Sequence, residues 1–266
     1  MSVTERPFTA TNTRDEKLSC LLSSVGELQA GAKVVVLCHG HTGSKRGTLM
    51  TKLCSGLLNT LPPEYAVVRF DFSGNGDSEG DFQYANYMQE AMDLRAVVLA
   101  TRAMGHHVEA VAGHSKGATD VLLYAAKYVD VQKVINLAGR WRMKCGITER
   151  FGERAMELLR SGESVMKKSR RCDGDGNMID FEFEVTMEQL RERLDMDMNV
   201  VVRALADDVT VLTVHGERDQ IIPVQDGRDL HQAIRSGLLE VIEDADHSFS
   251  DVETTVVDAM VSFLRG

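Results

Sequence analysis

The chain has 266 residues, room for one large domain or one domain carrying an inserted cap, and long enough to bury most of its apolar surface without disulfides or metals. Hydrophobic residues make up 43% and charged residues 26%, which fits a globular protein, and only 4 prolines exclude long proline-rich linkers. The net charge of -10 disfavours nucleic acid and anionic membrane surfaces as partners.

The start, Met1 to Lys17, is polar and charged and lacks the apolar centre of a signal peptide. The segment before Lys33 reads as an antiparallel edge hairpin. From there, short β-branched runs alternate with segments of helical period. Strands are expected at Lys33–Cys38, Tyr65–Phe72, Val108–Ala112, Lys133–Leu137, Val209–His215 and Leu238–Ile242. Helices are expected at Gly47–Leu61, Ala85–Met104, Gly117–Tyr128, Val224–Ser236 and Asp251–Leu264. This alternation predicts an α/β fold with a mostly parallel central sheet flanked by helices.

The alternation stops between about 140 and 208, which reads as an inserted cap on a core formed by 1–139 and 209–266. Thr148 is the expected cap of a helix carrying Phe151, Ala155, Leu158 and Leu159 and ending near Gly162. Val165–Arg170 and Met178–Val185 read as a hairpin. Thr186 with Gln189 reads as a capping box before one apolar stripe, Leu190, Leu194, Met198, Val201 and Leu205. Asp173 to Glu184 is superficially similar to a calcium loop, but Met178 stands where glycine is needed, and Asp-Gly pairs favour a hairpin turn. The cap is split in charge. Arg140–Arg171 carries 10 Lys/Arg against 4 Asp/Glu, and Cys172–Asp208 carries 3 against 11. The halves either pair with each other and with solvent, or the basic half forms a pocket rim that selects anions.

No run of about 18 apolar residues occurs, so no membrane span is expected. The five cysteines are widely spaced, with no C-x-x-C pair, which suits buried thiols in a reducing, cytoplasmic compartment. No metal or cofactor site is expected.

Chemistry concentrates at strand ends. Gly113-His114-Ser115-Lys116-Gly117 is a G-x-S-x-G match between an expected strand and an expected helix. A serine on so sharp a turn needs small neighbours two residues away on either side. A glycine-rich connection without chemistry is the plainer alternative. His114 is expected to face away and pack.

A serine hydroxyl needs a base. Among eight histidines, His247 stands in a polar loop after the last expected strand, whereas His231 falls in a helix and His106 and His107 lie at the wrong end of the sheet. His215, at a strand end, reads as a packed neighbour. Asp219 follows the fifth strand at the sheet's carboxyl edge and is the expected acid. Glu217 and Asp226 fit that position less well, and Asp246 reads as a turn residue. The oxyanion hole is expected from the backbone N–H groups of His41, in His39-Gly40-His41-Thr42-Gly43, and Lys116. The phosphate-loop alternative fails on spacing.

Together with Phe70–Gly80, these segments resemble the α/β-hydrolase superfamily, and more closely its cinnamoyl/feruloyl-esterase and monoacylglycerol-lipase-like branch, also called serine aminopeptidase-like hydrolases. The resemblance runs from about Val34 to the C-terminus. It implies an esterase with a small-molecule ester substrate, an acyl-enzyme and a cap that shapes the acyl pocket, with the Asp71–Gly80 loop bracing the oxyanion loop. His41 departs from the aromatic or aliphatic residue usual there, which implies a more polar pocket. Amide or thioester cleavage, and a slow or non-catalytic small-molecule receptor on the same fold, stand as alternatives.

Overall fold

A computed structural model describes residues 3–266. The chain opens with the expected hairpin, β1 (Val3–Thr11) and β2 (Lys17–Val25), paired antiparallel. There follow β3 (Lys33–Cys38), α1 (Thr48–Thr60), β4 (Tyr65–Phe70), α2 (Tyr87–Ala103), β5 (His107–His114), α3 (Lys116–Tyr128) and β6 (Lys133–Leu137). The middle segment holds α4 (Ile147–Phe151), α5 (Glu153–Arg160), β7 (Val165–Cys172), β8 (Met178–Val185), α6 (Met187–Leu194) and α7 (Met198–Arg203). The chain ends with β9 (Thr210–Gly216), α8 (Val224–Ala233), β10 (Gly237–Ile242) and α9 (Glu253–Arg265).

Eight strands form one sheet in the order β1-β2-β4-β3-β5-β6-β9-β10. β2 runs antiparallel to β4, and every pair from β4 to β10 is parallel. A parallel sheet is covered on both faces, so its strands read as continuous apolar runs. All six residues of β4 are buried, as are five of the six in β3. Alternate residues then serve different layers. Val34 and Val36 join the core under α2 and α3, while Val35 and Leu37 join the core under α1 and α9.

The middle segment departs from expectation in its helices. Thr148 lies inside α4, whose N-cap is Gly146, and the single expected helix breaks at Gly152 with φ 83° and ψ 155°. Only glycine adopts that conformation without strain, and a pattern that tolerates a helical glycine cannot reveal the break. The second stripe also divides. α6 ends at Leu194, and Asp197 caps a new helix by accepting from Asn199 N. The Thr186–Gln189 box forms as read. β7 and β8 make a separate two-stranded hairpin, Val165↔Val185 to Cys172↔Met178. In its turn the Asp173 carboxylate accepts from Asp175 N and Asn177 N. Among the described residues, no group of three or more His, Cys, Asp or Glu is placed to hold a metal, and no helix is long and apolar enough to cross a membrane.

Candidate active site

Ser115 sits at the carboxyl end of β5 with φ 56° and ψ -114°, a backbone state that costs a non-glycine residue strain. The two flanking glycines make the turn possible. A Cβ on Gly113 would lie 2.0 Å from the Gly117 carbonyl oxygen, and one on Gly117 would lie 2.5 Å from that of His39. Ser115 N donates to Leu137 O at 2.8 Å, which ties the turn to the end of the neighbouring strand β6.

His247 Nε2 is 2.9 Å from Ser115 Oγ, and His247 Nδ1 is 2.6 Å from Asp219 Oδ2. A carboxylate can only accept, so Nδ1 carries the proton and Nε2 is left to accept from the serine hydroxyl. The sheet order explains the meeting. Asp219 follows β9 and His247 follows β10, so both arise at the same edge of the sheet as Ser115. Gly216 lets the histidine loop cross the end of β9, because a Cβ there would sit 2.3 Å from Ala245 O. Arg218 N donates to Ala245 O, and the His114 ring donates from Nε2 to His247 O at 2.8 Å.

Asp219 is 5% exposed. Burial alone would raise its pKa, but hydrogen bonds from His215 and His247 hold it well below the usual carboxylate range. Its Oδ1 accepts from Ile221 N and Ile222 N, both at 2.8 Å. His215 Nε2 donates to Ile222 O at 2.9 Å and lies 3.4 Å from Asp219 Oδ2, so this packed neighbour also steadies the acid. The rivals are engaged elsewhere. Asp226 accepts from Trp141 N and from Arg142, Glu217 pairs with Arg228, and Asp246 accepts from Ser248 N and Ser250 N.

The loop after β3 lies against the serine. A Cβ on Gly40 would be 3.2 Å from Ser115 Cβ. His39 fixes the loop by donating from Nδ1 to Gly40 O and accepting at Nε2 from Phe72 N. Beside it, Lys45 is pinned by Asp71, whose carboxylate accepts from Lys45 N at 2.6 Å and from Nζ at 2.5 Å. The Asp71–Gly80 loop thus braces its neighbour. Lys116 opens α3, where a backbone N–H has no intrahelical acceptor. Among the described residues, neither the His41 nor the Lys116 N–H donates to a protein acceptor. Uncommitted donors beside a serine are unusual in a packed protein.

Ser115 lies where two lobes of one cleft meet, of about 450 and 480 Å³. The first is lined by Tyr84, Tyr87, Arg140 and Arg193, the second by His247, Met50, Lys167 and Met178, and Arg150 borders both. The His41 ring lines both and packs edge-on to Tyr84 and Phe183. Burial, helped by the charges of Arg150, Lys116 and Arg193, pushes its pKa well below the ordinary value, which favours the neutral ring. Behind the serine, Lys116 Nζ pairs with Glu90 at 2.6 Å. Asp120 is fully buried nearby, and burial with the Glu90 charge pushes its carboxyl well above the usual range. Sequence reading missed Tyr84, Tyr87 and the three arginines. The basic half of 140–208 was a signal for Arg140 and Arg150 but not for Arg193, which lies in the acidic half, and composition does not say where side chains point.

Residues 35–259 match the model of the alpha/beta hydrolase family. No curated protein sequence matches the chain. Among solved structures, Est1E from Butyrivibrio proteoclasticus with ferulic acid bound is similar at TM-score 0.74 and 20% identity, over 97% of this chain and 98% of that one. The esterase domain of a Rhodothermus marinus protein aligns at TM-score 0.68 and 20% identity, over 100% and 98%. The alpha/beta hydrolase GrgF from Penicillium sp. sh18 aligns at TM-score 0.74 and 16% identity, over 100% and 98%.

Proposed function

Because this chain belongs to the alpha/beta hydrolase family, we propose that it is a serine hydrolase that cleaves carboxylic esters of small or aromatic acyl groups through an acyl-enzyme. The observation that carries this reading is the unbroken contact from Ser115 Oγ to His247 to Asp219, at 2.9 and 2.6 Å, beside two uncommitted N–H groups.

In the proposed cycle, Ser115 Oγ attacks the ester carbonyl as His247 Nε2 takes the hydroxyl proton. The carbonyl π electrons move to oxygen, and the oxyanion is held by the N–H groups of His41 and Lys116, aided by the amino end of α3. Asp219 keeps the imidazole in the Nδ1–H tautomer and stabilises the imidazolium. On collapse the C–O bond to the alcohol breaks, and His247 returns its proton to the leaving oxygen. Water then repeats the sequence on the acyl-enzyme and releases the acid.

The proton return assigns the lobes. The leaving alcohol must lie next to His247, which lines the 480 Å³ lobe, so the 450 Å³ lobe takes the acyl group. The 140–208 segment serves in this reading as a cap, since Arg193 on the acyl side, Lys167 and Met178 on the alcohol side, and Arg150 between the two come from it. Est1E holds ferulic acid, an aromatic acid, which accords with the aromatic part of the proposal. Hydrolysis of 4-nitrophenyl butyrate tests the reading. Turnover is expected from the wild type, with Ser115→Ala lower by more than about 10³-fold. Equal rates from the two proteins would remove the serine from the mechanism.

A further inference from the structure

Three arginines line the proposed acyl lobe, and among the described residues none of them is paired with a carboxylate. Arg193, on α6, is only 6% exposed. It donates to Met143 O, Cys145 O and the Tyr84 hydroxyl, all neutral acceptors. Arg140, after β6, donates to Ile221 O. Arg150, on α4, stands 5.7 Å from the Tyr84 ring centroid. Among the described residues none of the three lies within ion-pair distance of a carboxylate, and the nearby Asp226, Asp229 and Glu90 are taken. Arg142 holds Asp226 and Asp229, and Lys116 holds Glu90. Among the described residues Glu149, exposed and outside any ion pair, is the one acidic side chain in the lining, against the three arginines.

Such an arrangement is costly in an otherwise acidic protein. Like charges in a partly desolvated cavity repel, and a buried guanidinium without an anion loses hydration that neutral acceptors replace only in part. Burial and the Arg193 charge together disfavour the charged form of Arg140. An anionic occupant removes both penalties. Guanidinium groups also present paired donors that match a carboxylate in a plane.

We propose that the acyl lobe selects an acyl chain ending in a second carboxylate, held by Arg140, Arg150 and Arg193, so that the substrates are half-esters of dicarboxylic acids. This rests on the esterase reading above and on its assignment of the lobes. Of the alternatives left by the charge split of 140–208, Lys168–Glu182 and Arg170–Asp180 show pairing between the halves, while Arg140 and Arg150 from the basic half lie on the rim.

The test compares two substrates of equal chain length, mono(4-nitrophenyl) adipate and 4-nitrophenyl hexanoate, on the wild type and on Arg150→Gln, whose site is exposed and leaves the anchoring bonds of Arg193 intact. The expected result is a kcat/KM for the adipate at least tenfold above that for the hexanoate. That ratio is expected to fall at least fivefold in Arg150→Gln and further in Arg150→Glu. A wild-type ratio near one or below, or a ratio untouched by either substitution, overturns the proposal. Labelling by a neutral alkyl fluorophosphonate is run alongside. If Ser115 is labelled while the hexanoate is preferred, only the anionic acyl lobe falls. If Ser115 is not labelled, the esterase reading falls and takes this inference with it.

Discussion

Asp219 shows how a single side chain is prepared by its surroundings. Two backbone N–H groups fill one of its oxygens and two histidines surround the other, so it stays ionised despite burial. Asp219→Asn keeps the shape but offers an amide that can donate to the ring, which favours the wrong tautomer. We expect kcat to fall about 10⁴-fold with little change in KM, measured by steady-state ester hydrolysis. A loss below tenfold would mean that the carboxylate does not orient the base. His114 makes a different prediction. Burial, with the His247 ring beside it, lowers its pKa from an ordinary 6.5 to about 4. The folded chain therefore refuses a proton that the unfolded chain binds, and the stability drawn from His114 is complete above pH 6.5 and drains away towards pH 4. His114→Gln keeps a donor for the His247 carbonyl but does not titrate. The Tm of the wild type relative to this variant is expected to drop between pH 6.5 and pH 4, and a constant difference would contradict the linkage. Ser115, Asp219 and His247 were legible because each is a polar residue just past an apolar run. The support from His215 and His114 was not, since the sequence marked both only as packed neighbours.

At the scale of elements, the sheet strands read well because burial on both faces demands unbroken apolar runs, which polar loops then delimit. The Lys33–Cys38 and Lys133–Leu137 strands match to the residue. The 140–208 segment read less well. Its short helices are set by local backbone events at Gly152 and Asp197 that leave the 3.6-residue apolar spacing intact, so periodicity alone joined them. Where a side chain itself closes a helix end, the sequence was decisive, as at Thr186. There both bonds of the box are 3.3 Å long, and Thr186→Ala is expected to cost about 1 kcal/mol. Urea denaturation measures this through a lower midpoint at unchanged slope. An unshifted midpoint would show that α6 is held by packing alone.

For the molecule as a whole, the acidic balance and the basic cavity point in opposite directions. A net charge of -10 disfavours anions at long range, whereas Arg140, Arg150 and Arg193 line the cleft beside a single acidic side chain, Glu149. Composition could count the basic residues of 140–208 but could not show that Arg150 and Arg193 turn inwards to meet Arg140 from the end of β6. That convergence exists only in the folded chain. The fold was legible from the order of its strands and helices, and the candidate triad from where its members fall in that order. Which charge the cavity prefers was not.

Everything functional depends on Ser115 being a hydroxyl that its neighbours have made nucleophilic. The most direct measurement is the mass of the intact protein, with peptide mapping, after exposure to an alkyl fluorophosphonate. One phosphonyl group is expected on the peptide containing Ser115 in the wild type, with no adduct on Ser115→Ala and sharply slower labelling of His247→Ala. An adduct of equal extent on wild type and Ser115→Ala, or none on either, would contradict the account.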